Sequence, residues 1–451
     1  MDPLIRSISG LRGIAGTSFN NNILITHINA FLSMQKKGTI LIARDGRPHG
    51  INYIETCSEA IRRAGFNVVD CGIIPTPTAQ FLVQEKKYSG GLLLTASHNP
   101  TEWNGLKFLD EGGCFVNPKK TQLIMDKADE KVSIDSKSIG EFSNNKNLWE
   151  EHLEHTLNIS CIDVELIKSK RFKVVVDAVN CAGSEIIPKL LKELNCVVVK
   201  INCSSNGEFV RGAEPIPENL SQLSQRVILE KADFGLATDP DADRLAIVNE
   251  NGKPLGEEYT LAIAIDGFLQ TTKNKRPVVV NLSTSKLSEF SCKKHNVEII
   301  RAKVGEINVV EEMKSLNSEI GGEGNGGVIL KESHLGRDSV VATALVLNQF
   351  ANQNISVSEI CKTFPTYKLV KDKVSIYGLD ADLILEQIEN NFMNAEIDKR
   401  DGIKLTWKDK WIHIRKSNTE PIIRIYAEAE SFNNISSKIK LIKKNIEDSR
   451  G

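Results

Sequence analysis

Short apolar runs recur along the first two thirds of the chain, separated by polar segments of helical composition. TILIARD (39 to 45), FNVVDCG (66 to 72) and GGLLLTAS (90 to 97) read as strands, with ETCSEAIRRAG as a helix between the first two. Such alternation predicts a mainly parallel sheet with helices on its faces. The Leu92 to Leu94 run is closed by Asn99-Pro100, which places Ser97 on a loop at the strand's C-terminal tip. Open α/β sheets put their chemistry at such tips.

A polar stretch from Lys119 to about Asn147 carries no strand signal, and a second alternation starts at FKVVVDAV (172 to 179), so a boundary is set near 155. The second unit continues through NCVVVKIN, a polar loop, a helix, ADFGLATD (232 to 239) and LAIVNENG (245 to 252), ending near 254 after the Asn251-Gly252 turn. A third opens with GEEYTLAIAIDGFLQ, runs through PVVVNLSTS, VEIIRAKVG and SEIGGEGNGGVIL, and closes with a helix from about Asp338 to Asn352. In each unit a strand runs into a small or polar loop, LLLTASHNP, FGLATDPDAD and SEIGGEGNGG, which is a repeat of architecture more than of residues. From about 368 the pattern changes to an amphipathic helix (380 to 394), short strands in hairpin order and a Lys-rich terminal helix. The predicted fold class is α/β: three similar mixed α/β domains (1–155, 156–254, 255–367) and a smaller C-terminal α+β domain (368–451).

A chain of 451 residues is too long for one ordinary core, in keeping with that division. The formal net charge is -1, from 57 basic and 58 acidic residues, so no global field recommends a nucleic acid or a membrane, and a small ligand recognised locally is expected. The 9 cysteines form no CxxC pair, which predicts reduced thiols and neither a disulfide framework nor a zinc knuckle. The N-terminal MDPLIRSISGLRG has no signal pattern, and no apolar stretch reaches the roughly 20 residues of a membrane span, so the expected location is cytoplasmic.

The strongest local signal is TDPDADR, with Asp239, Asp241 and Asp243 at alternate positions and Arg244 next to them. Carboxylates so crowded repel unless a hard cation such as magnesium or calcium neutralises them. An EF-hand would use Glu250 as its twelfth residue, but its sixth position needs glycine where Arg244 stands, and its flanks should be helices. A haloacid-dehalogenase-type phosphatase has other residues after its aspartate pair than the Arg244-Leu245 found here, and a solvated acidic turn is the plain alternative. In GGEGNGG, Glu323 and Asn325 sit among glycines that permit close approach, a set suited to paired sugar hydroxyls, although alone the string reads as a turn. RKSNTEP offers the Arg415 fork with Ser417, Asn418 and Thr419, donors that suit phosphate as well as a surface turn. Arg12 and Lys107 are further cations near glycine-rich turns. His152 and His155 share a helix face with no further ligand nearby in sequence and read as structural. Ser97 beside His98 suggests a serine hydrolase, but adjacent side chains on an extended chain diverge, which spoils a nucleophile–base contact.

Taken together, TASHNP, DPDADR, GGEGNGG and RKSNTEP, in this order and one per predicted domain, resemble the motifs of the α-D-phosphohexomutases over essentially the whole chain. The resemblance implies four domains around a central cleft, with Ser97 as a phosphoserine. It implies Mg2+ held by phosphorylated Ser97 with Asp239, Asp241 and Asp243, and Arg244, Lys107 and Arg12 offsetting the charge of the transferring group. The phosphoryl group would pass to O1 of a hexose 6-phosphate, giving a 1,6-bisphosphate that turns round before returning its 6-phosphoryl group. Arg415, Ser417, Asn418 and Thr419 would hold the idle phosphate. Glu323 and Asn325 would hold ring hydroxyls, Lys303 and Glu306 match a phosphosugar-contacting stretch, and the fourth domain would close as a lid.

Two positions depart from the common pattern. Asn325 stands where many members have serine, and Gly327 where they have histidine, leaving His98 and Lys107 as the candidates for proton transfer. SGLRG, GGEGNGG, GEEYTL and HLGRD look most like the bacterial phosphoglucosamine mutase branch. That implies conversion of glucosamine 6-phosphate to glucosamine 1-phosphate, with glucosamine 1,6-bisphosphate or a similar bisphosphate as activator. Phosphomannomutase/phosphoglucomutase activity is the near alternative, a serine hydrolase or a silent sugar-phosphate binder the distant ones, and a homodimer fits many relatives.

Overall fold

In the computed structural model, residues 4–134, 136–273, 275–392, 394–417 and 422–448 are described. The strand at Thr39–Arg44 is flanked by Asn67–Ile73 and Gly90–Leu94, both parallel to it, and Gly90–Leu94 pairs antiparallel with Trp103–Leu109. The second unit repeats this plan with Lys173–Asp177, Val197–Ile201, Phe234–Thr238 and Leu245–Asn249, and the third with Val278–Asn281, Ile299–Ala302, Ile320–Glu323 and Gly327–Leu330. In all three, the first, second and third strands are parallel and the fourth folds back against the third. The repeat seen faintly in the sequence is therefore a repeat of strand order.

The polar loops are the connections between the third and fourth strands: Ser97 lies between Leu94 and Trp103, Asp239 to Arg244 between Thr238 and Leu245, and 324–326 between Glu323 and Gly327. A strand buried on both faces can be apolar up to its tip, as Phe234–Thr238 is as far as Ala237 and Gly90–Leu94 is throughout, so polarity is confined to the end where the chain reverses. The stretch SEIGGEGNGGVIL, read as a strand entering a loop, is a tight hairpin. Gly326 makes it possible: its φ is +86°, and a Cβ there would lie 2.5 Å from the Leu245 carbonyl oxygen.

The first sheet gains two antiparallel strands, Ile5–Ser7 and Gly10–Ile14, beside Trp103–Leu109, and an edge strand at Phe142–Asn144. The edge strand corrects the strandless reading of 119 to 147: all three of its residues are exposed, so main-chain pairing with Val68 to Asp70 holds it without an apolar pattern. The same stretch contains the helix Pro118–Asp129, started by Asn117, whose side chain accepts from the Lys120 N–H. The C-terminal unit is an antiparallel sheet in the order Lys368–Ser375, Ile422–Ala429, Lys410–Lys416, Ile403–Thr406, Glu396–Asp398, with helices Ala381–Asn391 and Asn433–Asp448.

The second and third units share one core. Helices Glu257–Thr271 and Ser339–Gln353 are apolar around most of their circumference, and Leu261, Phe268, Leu345 and Phe350 pack in the same cluster as Ile186, Leu190 and Phe234. A polar knot reinforces the joint with the first unit. His152 Nε2 and His334 Nε2 lie 3.0 and 3.1 Å from Asp338 Oδ2, and Thr78 Oγ1 lies 3.0 Å from His152 Nδ1. His152 does gain acidic and imidazole neighbours, but from positions nearly two hundred residues away that its own helix cannot reveal. The C-terminal sheet is tied to the third unit by Glu428, which accepts from Trp411 Nε1 (2.8 Å), the Lys286 N–H (2.9 Å) and Ser285 Oγ. All 9 cysteines are free, and among the described residues no helix is long and apolar enough to cross a membrane.

Candidate active site

The Ser97 loop is held from below. Ser97 is almost wholly buried and adopts a left-handed φ of +50°, a conformation that costs a non-glycine residue energy unless its surroundings enforce it. Arg47 enforces it by donating from Nη2 to the carbonyls of Ser97 (2.8 Å) and Asn99 (2.5 Å). Asp45 holds the Arg47 guanidinium and also accepts from Thr95 Oγ1 (2.6 Å), which in turn accepts from the Ser97 N–H (2.9 Å). Asp45 and Arg47 stand in ARDGRP, directly after the first strand, and were not among the residues expected at the site. Their visible signal was an acid and an arginine flanking a glycine at a strand tip.

The aspartate loop is gripped by both neighbouring units. Asp239 Oδ1 accepts from the N–H groups of Asp243 (3.1 Å) and Arg244 (3.2 Å), which rolls the loop on itself. From the first unit, Lys107 Nζ lies 2.6 Å and Thr76 Oγ1 2.9 Å from Asp241 Oδ2. From the third, Arg337 Nη2 lies 2.5 Å from Asp243 Oδ2 and Ser339 Oγ donates to the Ala242 carbonyl (2.6 Å). The three carboxylates each bring an oxygen within 4.8 Å of the others, all buried. Glu250 instead accepts from the Ser358 N–H (3.1 Å), so the twelfth-position ligand of an EF-hand is otherwise engaged.

The remaining oxygens test whether a cation fits. Asp239 Oδ2, Asp241 Oδ1 and Asp243 Oδ1 are buried and have no hydrogen-bond partner. Among the described residues Arg244 Nε approaches two of them, 3.9 Å from Asp239 Oδ2 and 3.8 Å from Asp243 Oδ1, too far for a hydrogen bond; leaving buried carboxylate oxygens so weakly compensated is costly, and a hard divalent cation with oxygen ligands resolves it. The electrostatics agree. Burial and repulsion from Asp243 and Asp241 push the Asp239 carboxyl well above its usual range, whereas Asp241, although burial opposes it, is held below by Lys107.

Cations surround this cluster. Burial and Arg337 work against the Arg244 charge, but Asp239, Asp243 and Glu214 outweigh them and raise its pKa. Arg12 donates to Asn99 Oδ1 (3.0 Å), and burial, with Arg244 and Arg47 nearby, lowers its pKa. His98 offers Nδ1 3.3 Å from Arg244 Nη2, with Nε2 3.8 Å from Glu214 Oε1. Desolvation first, then Arg244 and Arg12, lower the pKa of His98, whose side chain is still 37% exposed. Among the described residues no hydrogen bond joins Ser97 and His98, which removes the hydrolase pairing.

In the GGEGNGG loop, Glu323 Oε1 accepts from Asn281 Nδ2 (2.7 Å) and the Gly305 N–H (2.8 Å), and Oε2 from Arg337 Nη1 (2.8 Å). Burial opposes its charge, but Arg337 and these donors keep its pKa below the usual range. Asn325 is half-buried, and its Oδ1 accepts from the Gly327 N–H (3.3 Å), closing the turn. Glu306 receives Gln80 Nε2 (3.2 Å) and Arg337 Nε (3.0 Å), and burial raises its pKa. Lys303 is exposed on the loop after Ile299–Ala302 and joins no ion pair among the described residues.

Arg415 lies at the end of Lys410–Lys416, directly opposite Arg424, and its Nε is buried without a partner. Arg424 was not singled out in the sequence. Ser417 follows the strand, and Asn418 and Thr419 lie outside the described residues. The structure thus gathers Ser97, His98, Arg12, Lys107, the three aspartates, Arg244, Glu306 and Glu323 into one connected network, and leaves Lys303 and Arg415 apart from it. Arg337 and Thr76 belong to the network and were missed, because the aspartate each one serves lies in a different unit.

Comparison with known proteins accounts for this arrangement. Four family models match in order: phosphoglucomutase/phosphomannomutase alpha/beta/alpha domain I at residues 5–134, domain II at 150–252, domain III at 256–367 and the C-terminal domain at 380–436. The phosphoglucomutase/phosphomannomutase of Thermococcus kodakarensis is 34% identical over 432 residues, covering 94% of both chains. The phosphoglucosamine/phosphogalactosamine mutase of Sulfurisphaera tokodaii is 30% identical, covering 97% of this chain and 98% of its own. A crystal structure of a phosphoglucomutase/phosphomannomutase family protein from Burkholderia thailandensis superposes with a TM-score of 0.86 at 21% identity, covering 98% of this chain and 96% of that one. With its four units matched in sequence and its three hairpin loops converging on one acidic cluster, the chain belongs to the phosphoglucomutase/phosphomannomutase family and is a phosphohexomutase.

Proposed function

We propose that the protein interconverts glucosamine 6-phosphate and glucosamine 1-phosphate, carrying the phosphoryl group on Ser97 and passing through glucosamine 1,6-bisphosphate. The observation that carries the mechanism is the set of three buried oxygens without a hydrogen bond on Asp239, Asp241 and Asp243, in a loop whose Arg244 lies 3.3 Å from His98 of the Ser97 loop. Together with phosphorylated Ser97 these residues would hold Mg2+, which when bound supplies Lewis-acid polarisation of the phosphoryl oxygens.

The chain's own residues do the rest. Arg47 and Asp45 fix the Ser97 backbone, so the acceptor oxygen is aimed before substrate arrives. Arg244, Arg12 and Lys107 set positive charge around the place where the transferring group gathers negative charge. His98 is the candidate to accept a proton from the attacking hydroxyl, at Nδ1 once that nitrogen exchanges Arg244 Nη2 for the substrate, whereas Lys107, paired with Asp241, acts as fixed charge. Glu323 has one acceptor site left after three donors, enough for one sugar hydroxyl, with the Asn325 amide beside it. Lys303 and Glu306 line the phosphosugar stretch, and Arg415, with Ser417, Asn418 and Thr419, takes the phosphate that is not reacting. The C-terminal unit is the lid, and the near-complete burial of Ser97 limits hydrolysis of the phosphoenzyme.

Support for the amino sugar comes from relatives named phosphoglucosamine mutase, among them that of Methanocaldococcus jannaschii at 30% identity. The 34% identical Thermococcus relative, named phosphoglucomutase/phosphomannomutase, favours a second reading on glucose and mannose phosphates. The free thiols suit a reducing cytoplasm. Intact-mass spectrometry should find a phosphorylated fraction assigned to Ser97, and Ser97→Ala or removal of Mg2+ should abolish turnover. Initial rates on glucosamine, glucose and mannose phosphates with catalytic 1,6-bisphosphate should favour glucosamine. Preference for mannose phosphate would replace the substrate assignment, and full activity of Ser97→Ala would overturn the mechanism.

A further inference from the structure

Among the described residues, Arg337 is the side chain that bridges the aspartate cluster and the GGEGNGG loop. Its three nitrogens serve three acids from two units: Nη2 to Asp243 Oδ2 (2.5 Å), Nη1 to Glu323 Oε2 (2.8 Å) and Nε to Glu306 Oε2 (3.0 Å). Its side chain is 11% exposed and Asp243 is fully buried. The space it fills exists because residue 327 has no side chain. A Cβ on Gly327 would lie 2.3 Å from Arg337 Cδ and 2.9 Å from Cγ, so any larger residue there displaces the arginine. Gly327 has no left-handed φ, hence its glycine serves this packing and not a backbone conformation.

We propose that Arg337 is a positioning residue with two separable actions, resting on the mutase reading above. Its charge reserves Asp243 Oδ2, leaving Oδ1 as the single oxygen that Asp243 offers a cation. Its planar fork fixes Glu323 relative to Asp243, and so the sugar hydroxyl relative to the phosphoryl site. A planar fork holds three acids in fixed relative directions, which the rotatable donors of a point-like ammonium do not. Gly327 and Arg337 form a coupled pair, the first making room for the second.

The two actions predict effects of different sign in different variants. Arg337→Met removes a positive charge next to a cation ligand, so Mn2+ binding, followed by electron paramagnetic resonance on the full-length dephosphorylated protein, should tighten by on the order of tenfold. KM for the hexose phosphate should rise by a similar factor. Arg337→Lys keeps the charge and loses the fork, so its Mn2+ affinity should stay near wild type while KM rises. Gly327→Ala should follow Arg337→Met in KM with Arg337 still encoded. A residue that merely stabilised the fold would weaken Mn2+ binding in Arg337→Met, and that result overturns the proposal, as does an unchanged KM in Arg337→Lys. If the wild type neither binds Mn2+ nor turns over hexose phosphate, the mutase reading itself fails; if it does both and the variants match it, only the assignment of Arg337 fails.

Discussion

Lys107→Met is the most informative single change, because the pair it breaks spans two units. Lys107 Nζ sits 2.6 Å from Asp241 Oδ2, with side chains only 4% and 1% exposed. Removing one member of a buried ion pair strands the other, at a cost of about 3–5 kcal/mol. Thr76 would remain as a donor to the same oxygen, which places the expected cost toward the lower end. For a unit of this size each kcal/mol moves Tm by about 2–4 °C, so the metal-free variant should melt roughly 6–12 °C below wild type. A divalent cation compensates the same carboxylate, and the deficit should therefore shrink as Mg2+ is raised. Turnover at saturating Mg2+ should stay depressed by about 10²-fold or more, because in the proposed mechanism the lost ammonium also offsets charge on the transferring group. Differential scanning calorimetry with and without Mg2+, beside initial rates, reads all three. A metal-free Tm within about 2 °C of wild type, or a deficit that Mg2+ leaves unchanged, would refute the assignment of Lys107 as the charge partner of Asp241.

Two further variants test the surroundings of the site. Glu258 is buried behind Gly324, and burial raises its pKa to about 8, so between about 4.5 and about 8 it is neutral in the fold and ionised in the unfolded chain. The unfolded chain then holds fewer protons, stability falls as pH rises through that window, and the loss is on the order of 3 kcal/mol at pH 7. Glu258→Gln should therefore match wild type near pH 4 and melt higher at pH 8; a Tm difference that does not change with pH would remove Glu258 as the cause. Arg47→Lys keeps a charge near Asp45 but cannot serve the Ser97 and Asn99 carbonyls and Asp45 together, so kcat should fall by about 10²-fold with Tm lowered only modestly. Equal kcat in the two proteins would show that the Ser97 loop holds its conformation without that clamp.

The α/β class and the loops that carry chemistry were legible in the primary structure because burial and reversal leave local marks. A strand covered on both faces must be apolar along its length, and the chain can turn polar only at its tip, as at Leu94 to Ser97 and Thr238 to Arg244. Alternating aspartates announce a cation because their repulsion is local and needs an answer wherever the loop lies. The edge strand Phe142–Asn144 left no such mark, since exposed main-chain pairing requires no particular side chain.

Tertiary structure alone decided which charge answers which. Lys107 and Thr76 come to Asp241 from the first unit, and Arg337 comes to Asp243 from the third, across separations of roughly a hundred residues or more. No local pattern encodes these meetings, because a guanidinium or ammonium in a sequence looks like any solvated cation until packing strips its water. The same holds for Gly327, which reads as one more glycine in a flexible loop until the fold lays the Arg337 side chain where its Cβ would be. Residue type and spacing marked the aspartate loop as a place for a cation, and the order of four motifs, through their family resemblance, pointed to phosphoryl transfer. The stacking of three repeated sheets determined its geometry, because only there do buried charges become close enough, and dry enough, to hold one another in place.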